Sequence, residues 1–247
     1  MSAAATLAWV ELKLLMREPL TLVFVLVLPL AMLYVLNGVF GSSPADPSVW
    51  EGIGAIDFYT PSYVALVAAT VGILSVPVHL AGYRENGVIR RFRASAISPG
   101  VLVVAHTVVA TIIATLSSVV LAVASALGYE ASLPTDWVST LGAFAFVTIG
   151  FAVLGSAIGA IMPTARAAQG LGVLLFFVFM MLGGAGPPLE ILPDTMADIA
   201  EFLPITHAAR LLRGAWLGEG WESVPALVVG GMLVVGATVA MWRFAED

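Results

Sequence analysis

The residues best equipped for specific chemistry lie in one stretch, Tyr83-Arg84-Glu85-Asn86-Gly87-Val88-Ile89-Arg90-Arg91-Phe92-Arg93 and on to Ser98-Pro99-Gly100, between two long apolar runs. It holds four of the chain's 10 basic residues. Guanidinium groups make planar, paired hydrogen bonds to carboxylates and phosphates. Arg84, Arg90, Arg91 and Arg93 therefore form a surface suited to an acidic partner, with Ile89 and Phe92 as its apolar anchor. Arginines beside membrane spans also stay on the cytoplasmic side and attract anionic lipid. Either use is recognition rather than bond making.

Bond-making groups are scarce. Lys13 is the only lysine, and no Gly-x-x-x-x-Gly-Lys-[Ser/Thr] loop exists, so nucleotide hydrolysis by that chemistry is excluded. With Cys 0, there is no thiolate nucleophile, thiolate metal site or disulfide. His79, His106 and His207 fall in no metal-ligand spacing. The first two lie near the ends of adjacent apolar runs, where hydrogen bonding to a neighbouring helix is the expected role. No acidic residue occupies the core of any run, which weighs against a proton-coupled carrier. No catalytic or metal-binding residue is assigned, and no nucleic-acid partner is expected.

These residues must be positioned by membrane helices. A chain of 247 residues that is 60% hydrophobic and 11% charged departs from soluble domains, which carry about 25% charged residues. A helical span needs about 20 apolar residues, and six runs approach or exceed that length: 20–40, 58–82, 101–127, 137–162, 168–186 and 222–243. They are apolar on all sides, unlike barrel strands, so the expected fold is all-α with six transmembrane helices in a single membrane domain, 1–247. The first run, followed by Gly41-Ser42-Ser43, resembles a secretory signal, but signal cores run about 7 to 15 residues and this one is longer. It reads as a retained span.

Six spans with a cytoplasmic 83–100 loop put both termini in the cytoplasm. Eight of the basic residues then lie inside with five acids, and Arg210 and Arg213 lie outside with eleven acids. Before the first span, 3–18 reads as a helix on the inner membrane surface. Ala8, Trp9, Leu12, Leu15 and Met16 make an apolar arc, Lys13 and Arg17 a basic edge, and Glu11 and Glu18 an acidic one. Pro77 inside the second run predicts a kink. Gly155 and Gly159 have the spacing that lets helices approach closely, more readily inside the chain than between copies.

The segment 187–217 is expected to form an outer pair of half-inserted helices. Glycine and proline are dense from Gly183 through Pro187, Pro188, Glu190 and Pro193, and two short pieces follow, divided at Pro204. Asp194 and Thr206 are the expected N-caps. Arg210 and Arg213, three residues apart, are placed to meet Glu190, Asp194, Asp198 or Glu201.

Together the six spans, the surface helix, the Arg84-Glu85-Asn86-Gly87…Ser98-Pro99 loop and the Pro187-Pro188-Leu189-Glu190…Leu203-Pro204-Ile205-Thr206-His207-Ala208-x-Arg210 region resemble the ABC type-2 transporter permeases. Bacterial drug-export permeases of the daunorubicin-resistance type are particularly similar. The resemblance covers essentially the whole chain. It departs at Val88, where threonine is common, and at Leu203, where asparagine is common. It implies a half-transporter of the bacterial inner membrane that pairs with a second permease copy and with two copies of a separate ATP-binding subunit. ATP and Mg would be bound there, with no cofactor in this chain. It further implies that 83–100 is a coupling segment seated in the ATPase, and that a hydrophobic, drug-like cargo is exported. A lipid or polysaccharide exporter is the rival within the family; an ATP-independent carrier or channel is the rival outside it.

Overall fold

The computed structural model describes residues 23–40, 53–89, 91 and 99–246. The expected surface helix with Trp9, Glu11, Lys13, Arg17 and Glu18, as well as Arg90, Phe92 and Arg93, lies outside these residues. No strand occurs among the described residues. The helices are α1, a π-turn Val23–Val27 running into Leu28–Phe40; α2, Ala55–Glu85; α3, Pro99–Tyr129; α4, Trp137–Ile161; α5, Ala165–Leu182; α6, Asp194–Glu201; α7, Pro204–Leu217; and α8, Ser223–Glu246.

Among the described residues, five helices (α2, α3, α4, α5 and α8) are long and apolar enough to cross a membrane, and the described part of α1 is a shorter apolar helix. The sequence places the second span at 58–82 and opens the loop at 83. The helix instead runs on through Tyr83, Arg84 and Glu85. The fifth begins at Ala165 rather than 168 and stops at Leu182, because Gly183 and the following Gly184, at φ +78°, end it.

α2 is the central pillar. Every residue from Phe58 to Pro77 is buried, and α1, α3, α4, α5 and α7 all pack against it. α8 packs mainly on α4 and α7. α3, α5 and α8 turn residues such as Val104, Leu116, Leu174, Leu227 and Val234 outward. An apolar surface of that extent has hydrocarbon as its solvent.

The closest approach is at a π-turn in α2, Val71–Ser75, where the Val76 N–H bonds to Val71 O five residues back. A wider turn here accommodates Pro77, which has no N–H to give and whose ring would crowd a regular turn. A methyl group on Gly155 of α4 would lie 1.9 Å from Gly72 O, and one on Gly172 of α5 would lie 2.7 Å from Ile73 O. Gly159 meets Pro77 and Leu80 one turn further on. The Gly155/Gly159 stripe is thus used inside the chain.

Candidate functional site

At the arginine end, α2 stops because Asn86 turns back on it. The Asn86 N–H and its side-chain amide both donate to Gly82 O, at 3.0 and 2.8 Å. Gly87 then takes φ +68°, a left-handed conformation that costs any residue with a Cβ about 1–2 kcal/mol. The side chains just before this stop reach across to the α4–α5 turn. Arg84 Nη1 donates to Met162 O at 3.2 Å, a carbonyl at the C-terminus of α4. Glu85 Oε2 accepts from the Ala165 N–H at 3.0 Å, at the start of α5. Thr164 Oγ1 accepts from the Ala167 N–H at 3.1 Å, so two of the unpaired donors opening α5 are satisfied, one locally and one from α2. A negative group at a helix N-terminus and a positive one at a C-terminus also match the helix dipoles.

Arg84 and Glu85 therefore form a staple that ties the end of α2 to both α4 and α5. Ile89 is packed into the chain's own core, whereas Arg91 is exposed. Beside the staple lies a cleft of about 410 Å³ lined by Val78, Glu85, Thr164, Ala165, Arg166 and Gln169. His79 and His106 lie with ring centroids 6.1 Å apart, and Tyr83 is 5.8 Å from His106. His79 Nδ1 pairs with Ser75 O at 2.8 Å. Among the described residues no three side chains are grouped to hold a metal ion. What this end can do is hold and transmit position.

At the opposite end, Pro187 and Pro188 lead into a 3-10 turn, Leu189–Ile191, with Glu190 exposed on it. α6 starts after Pro193, whose carbonyl accepts from the Met196 and Ala197 N–H groups at 2.8 and 3.0 Å. Neither expected N-cap acts as one. Asp194 is already the first helical residue, and α7 is preceded by Leu203 with Pro204 opening it. Thr206 instead donates to Ala200 O at 2.6 Å, and His207 Nε2 pairs with Glu201 O at 2.8 Å. Arg210 closes the same corner with a two-armed salt bridge to the Glu201 carboxylate, one arm at 2.8 Å. The Arg210 hydrogen bond holds the Glu201 carboxyl below its ordinary range. Three residues of α7 thus lock the carboxyl end of α6.

Most of α7 is buried from Ile205 to Trp216 against α2, α4 and α8. Trp216 Nε1 donates to Ser132 O at 2.9 Å, and Trp216 O accepts from the Thr135 N–H at 2.8 Å. Arg213 lies inside the bundle rather than at its surface. It is 5% exposed, its guanidinium sits 4.2 Å from the Phe58 ring centroid, and Nη1 donates to Ser62 Oγ at 3.3 Å. The helical spacing to Arg210 is visible in the sequence; which of the two turns inward is not.

The comparisons agree with this architecture. The family profile described as ABC-2 type transporter matches residues 3–217. The chain belongs to this family. It is 24% identical over 228 residues, covering 90% of both chains, to a Bacillus subtilis (strain 168) protein described as the transport permease YvfS. It is also 34% identical over 100 residues to nodulation protein J of Rhizobium leguminosarum bv. trifolii, covering 39% of this chain and 36% of that one. An ABC-2 permease is a transmembrane component of a transporter and not itself catalytic; members of the family generally work with an ATP-binding subunit.

Proposed function

We propose that this permease is the membrane half of an ATP-driven exporter of hydrophobic or amphipathic, drug-like molecules. Two copies would pair in the bacterial inner membrane, with both termini cytoplasmic. Each would bind a separate subunit that holds ATP and Mg and splits the nucleotide. The observation that carries the reading is the Arg84–Glu85 staple. A segment that docks on an ATPase must pass its displacement to the helices, and here the residues opening that segment are bonded to the ends of α4 and α5. Closure of the ATPase pair would push 86–98, with Arg90, Arg91, Phe92 and Arg93 in contact and the 3–18 helix alongside. The push would tilt α2 and α5 together, and α5 leads directly into Pro187, Pro188 and Pro193 at the other end. ATP binding need favour one packing by only a few kcal/mol to shift the population decisively.

The test is co-purification with an ATP-binding subunit, followed by ATPase and transport assays in vesicles. Gly87→Pro and Arg91→Glu are expected to abolish cargo-stimulated ATPase activity while the permease still inserts and folds. Cargo movement by the permease alone, or full stimulation in both variants, would refute the proposal.

A further inference from the structure

The cleft of about 410 Å³ beside the staple holds two opposite charges that do not meet. Glu85 and Arg166 both line it and both are exposed. Among the described residues Arg166 makes no ion pair, and Glu85 bonds only to the Ala165 N–H. That bond occupies Oε2 and leaves Oε1 open. Thr164 Oγ1 accepts from the Ala167 N–H and keeps its own hydrogen to donate, and Gln169 adds an amide to the lining. The depth of the cleft is set by α5. Its 18 residues, Ala165–Leu182, rise about 1.5 Å each and so measure about 27 Å, against a hydrocarbon core of about 30 Å. A helix this short spends its whole length in crossing, which puts Thr164, Ala165 and Arg166 at headgroup level. From there Arg166, Gly170, Leu174 and Phe177 follow one another at helical spacing along α5, all exposed. Nothing lies within 4 Å of where a Cβ on Gly170 would be, so this face carries an open furrow.

We propose that the cleft seats the headgroup of a phosphatidylethanolamine lipid, its ammonium toward Glu85 and its phosphate toward Arg166, with an acyl chain laid along the furrow from Gly170 to Phe177. A neutral pair of separated charges matches a neutral, zwitterionic headgroup. The primary ammonium donates charge-assisted hydrogen bonds to a carboxylate. A choline headgroup has no N–H to donate and is held instead by aromatic faces, none of which lines the cleft among the described residues. An anionic headgroup gains from Arg166 but is repelled by Glu85. A soluble partner would have to enter the headgroup layer to reach the site. The site goes beyond the export reading and does not rest on it.

The full chain in detergent, without nucleotide or partner, is titrated with dioleoyl phosphatidylethanolamine, phosphatidylcholine or phosphatidylglycerol, and bound lipid is counted by native mass spectrometry. Phosphatidylethanolamine is expected to bind about five- to tenfold more tightly than phosphatidylcholine, the difference made by hydrogen bonds to a charged group. Arg166→Gln should weaken it by a similar factor. Glu85→Gln, whose amide oxygen still accepts from the Ala165 N–H, should reverse the order so that phosphatidylglycerol binds best. A gain of that kind cannot come from misfolding. Arg243→Gln, outside the lining, should change none of these preferences. Equal affinity for the three lipids, or selectivity that survives both cleft variants, would overturn the proposal. So would glycerophosphoethanolamine, which has no acyl chains, binding as tightly as the lipid, because the ligand would then be a soluble phosphate ester. Absent lipid selectivity, with Arg166→Gln weakening capture of the ATP-binding subunit, would give the cleft to that subunit instead.

Discussion

Glu85 shows how a charged residue beside a membrane can be structural and mechanical at once. Its carboxylate caps α5 from another helix, so Glu85→Ala removes a charge-assisted bond and leaves the Ala165 N–H unsatisfied. Loss of a cap costs about 1 kcal/mol, and Thr164→Ala should cost a similar amount. Thermal unfolding in detergent is expected to show both, with a double variant losing less than the sum if each cap depends on the other. Glu201 gives a pH dependence. Its folded pKa lies below the ordinary carboxylate value because Arg210 bonds to it. The stabilisation is therefore complete above the unfolded pKa and is lost as pH falls through the folded one. Arg210→Gln should flatten the acid limb of a stability–pH curve. The pair is partly exposed, so the change should be under about 1 kcal/mol.

At the scale of elements, α2, α4 and α5 meet where side chains are absent. Gly155→Ala would drive a methyl into Gly72 O, a backbone atom that cannot swing aside. Overpacking of this kind costs about 1–3 kcal/mol or more, and here it would force α4 off the π-turn. Gly231→Ala, with nothing within 4 Å of the added carbon, is the matched control and should be neutral or slightly stabilising. Comparing the two unfolding midpoints checks whether the crossing is as close as described. The same crossing explains why a proline is tolerated in the buried centre of α2. The π-turn just before it supplies the room.

For the whole molecule, the staple at one end and the locked α6–α7 corner at the other bracket the pillar α2, with α5 running between the staple and the glycine–proline run. If the staple moves as a unit during transport, joining its two sides should do little harm. The absence of native cysteine makes this testable: cysteines at 85 and 165, bridged by a short crosslinker, should retain half or more of the unbridged transport rate. Loss of transport on bridging would show that the joint opens. Much of this frame was legible in advance. Apolar run length specified the helices, because hydrocarbon leaves a spanning segment almost no other way to satisfy its backbone. The dense glycine and proline after Leu182 announced a helix end there, although the expected span ran on to 186. Spacing put Arg210 within reach of four acids, and the fold chose Glu201 among them. Partnership across the chain was another matter. That Glu85 caps Ala165, that Arg213 turns inward onto Phe58, and that Thr206 bonds to Ala200 rather than capping its own helix all depend on which helix faces meet. Sequence periodicity states how apolar a face is, but in a bundle whose helices are apolar on every side it does not say which neighbour each face meets. Only close packing in three dimensions decided that.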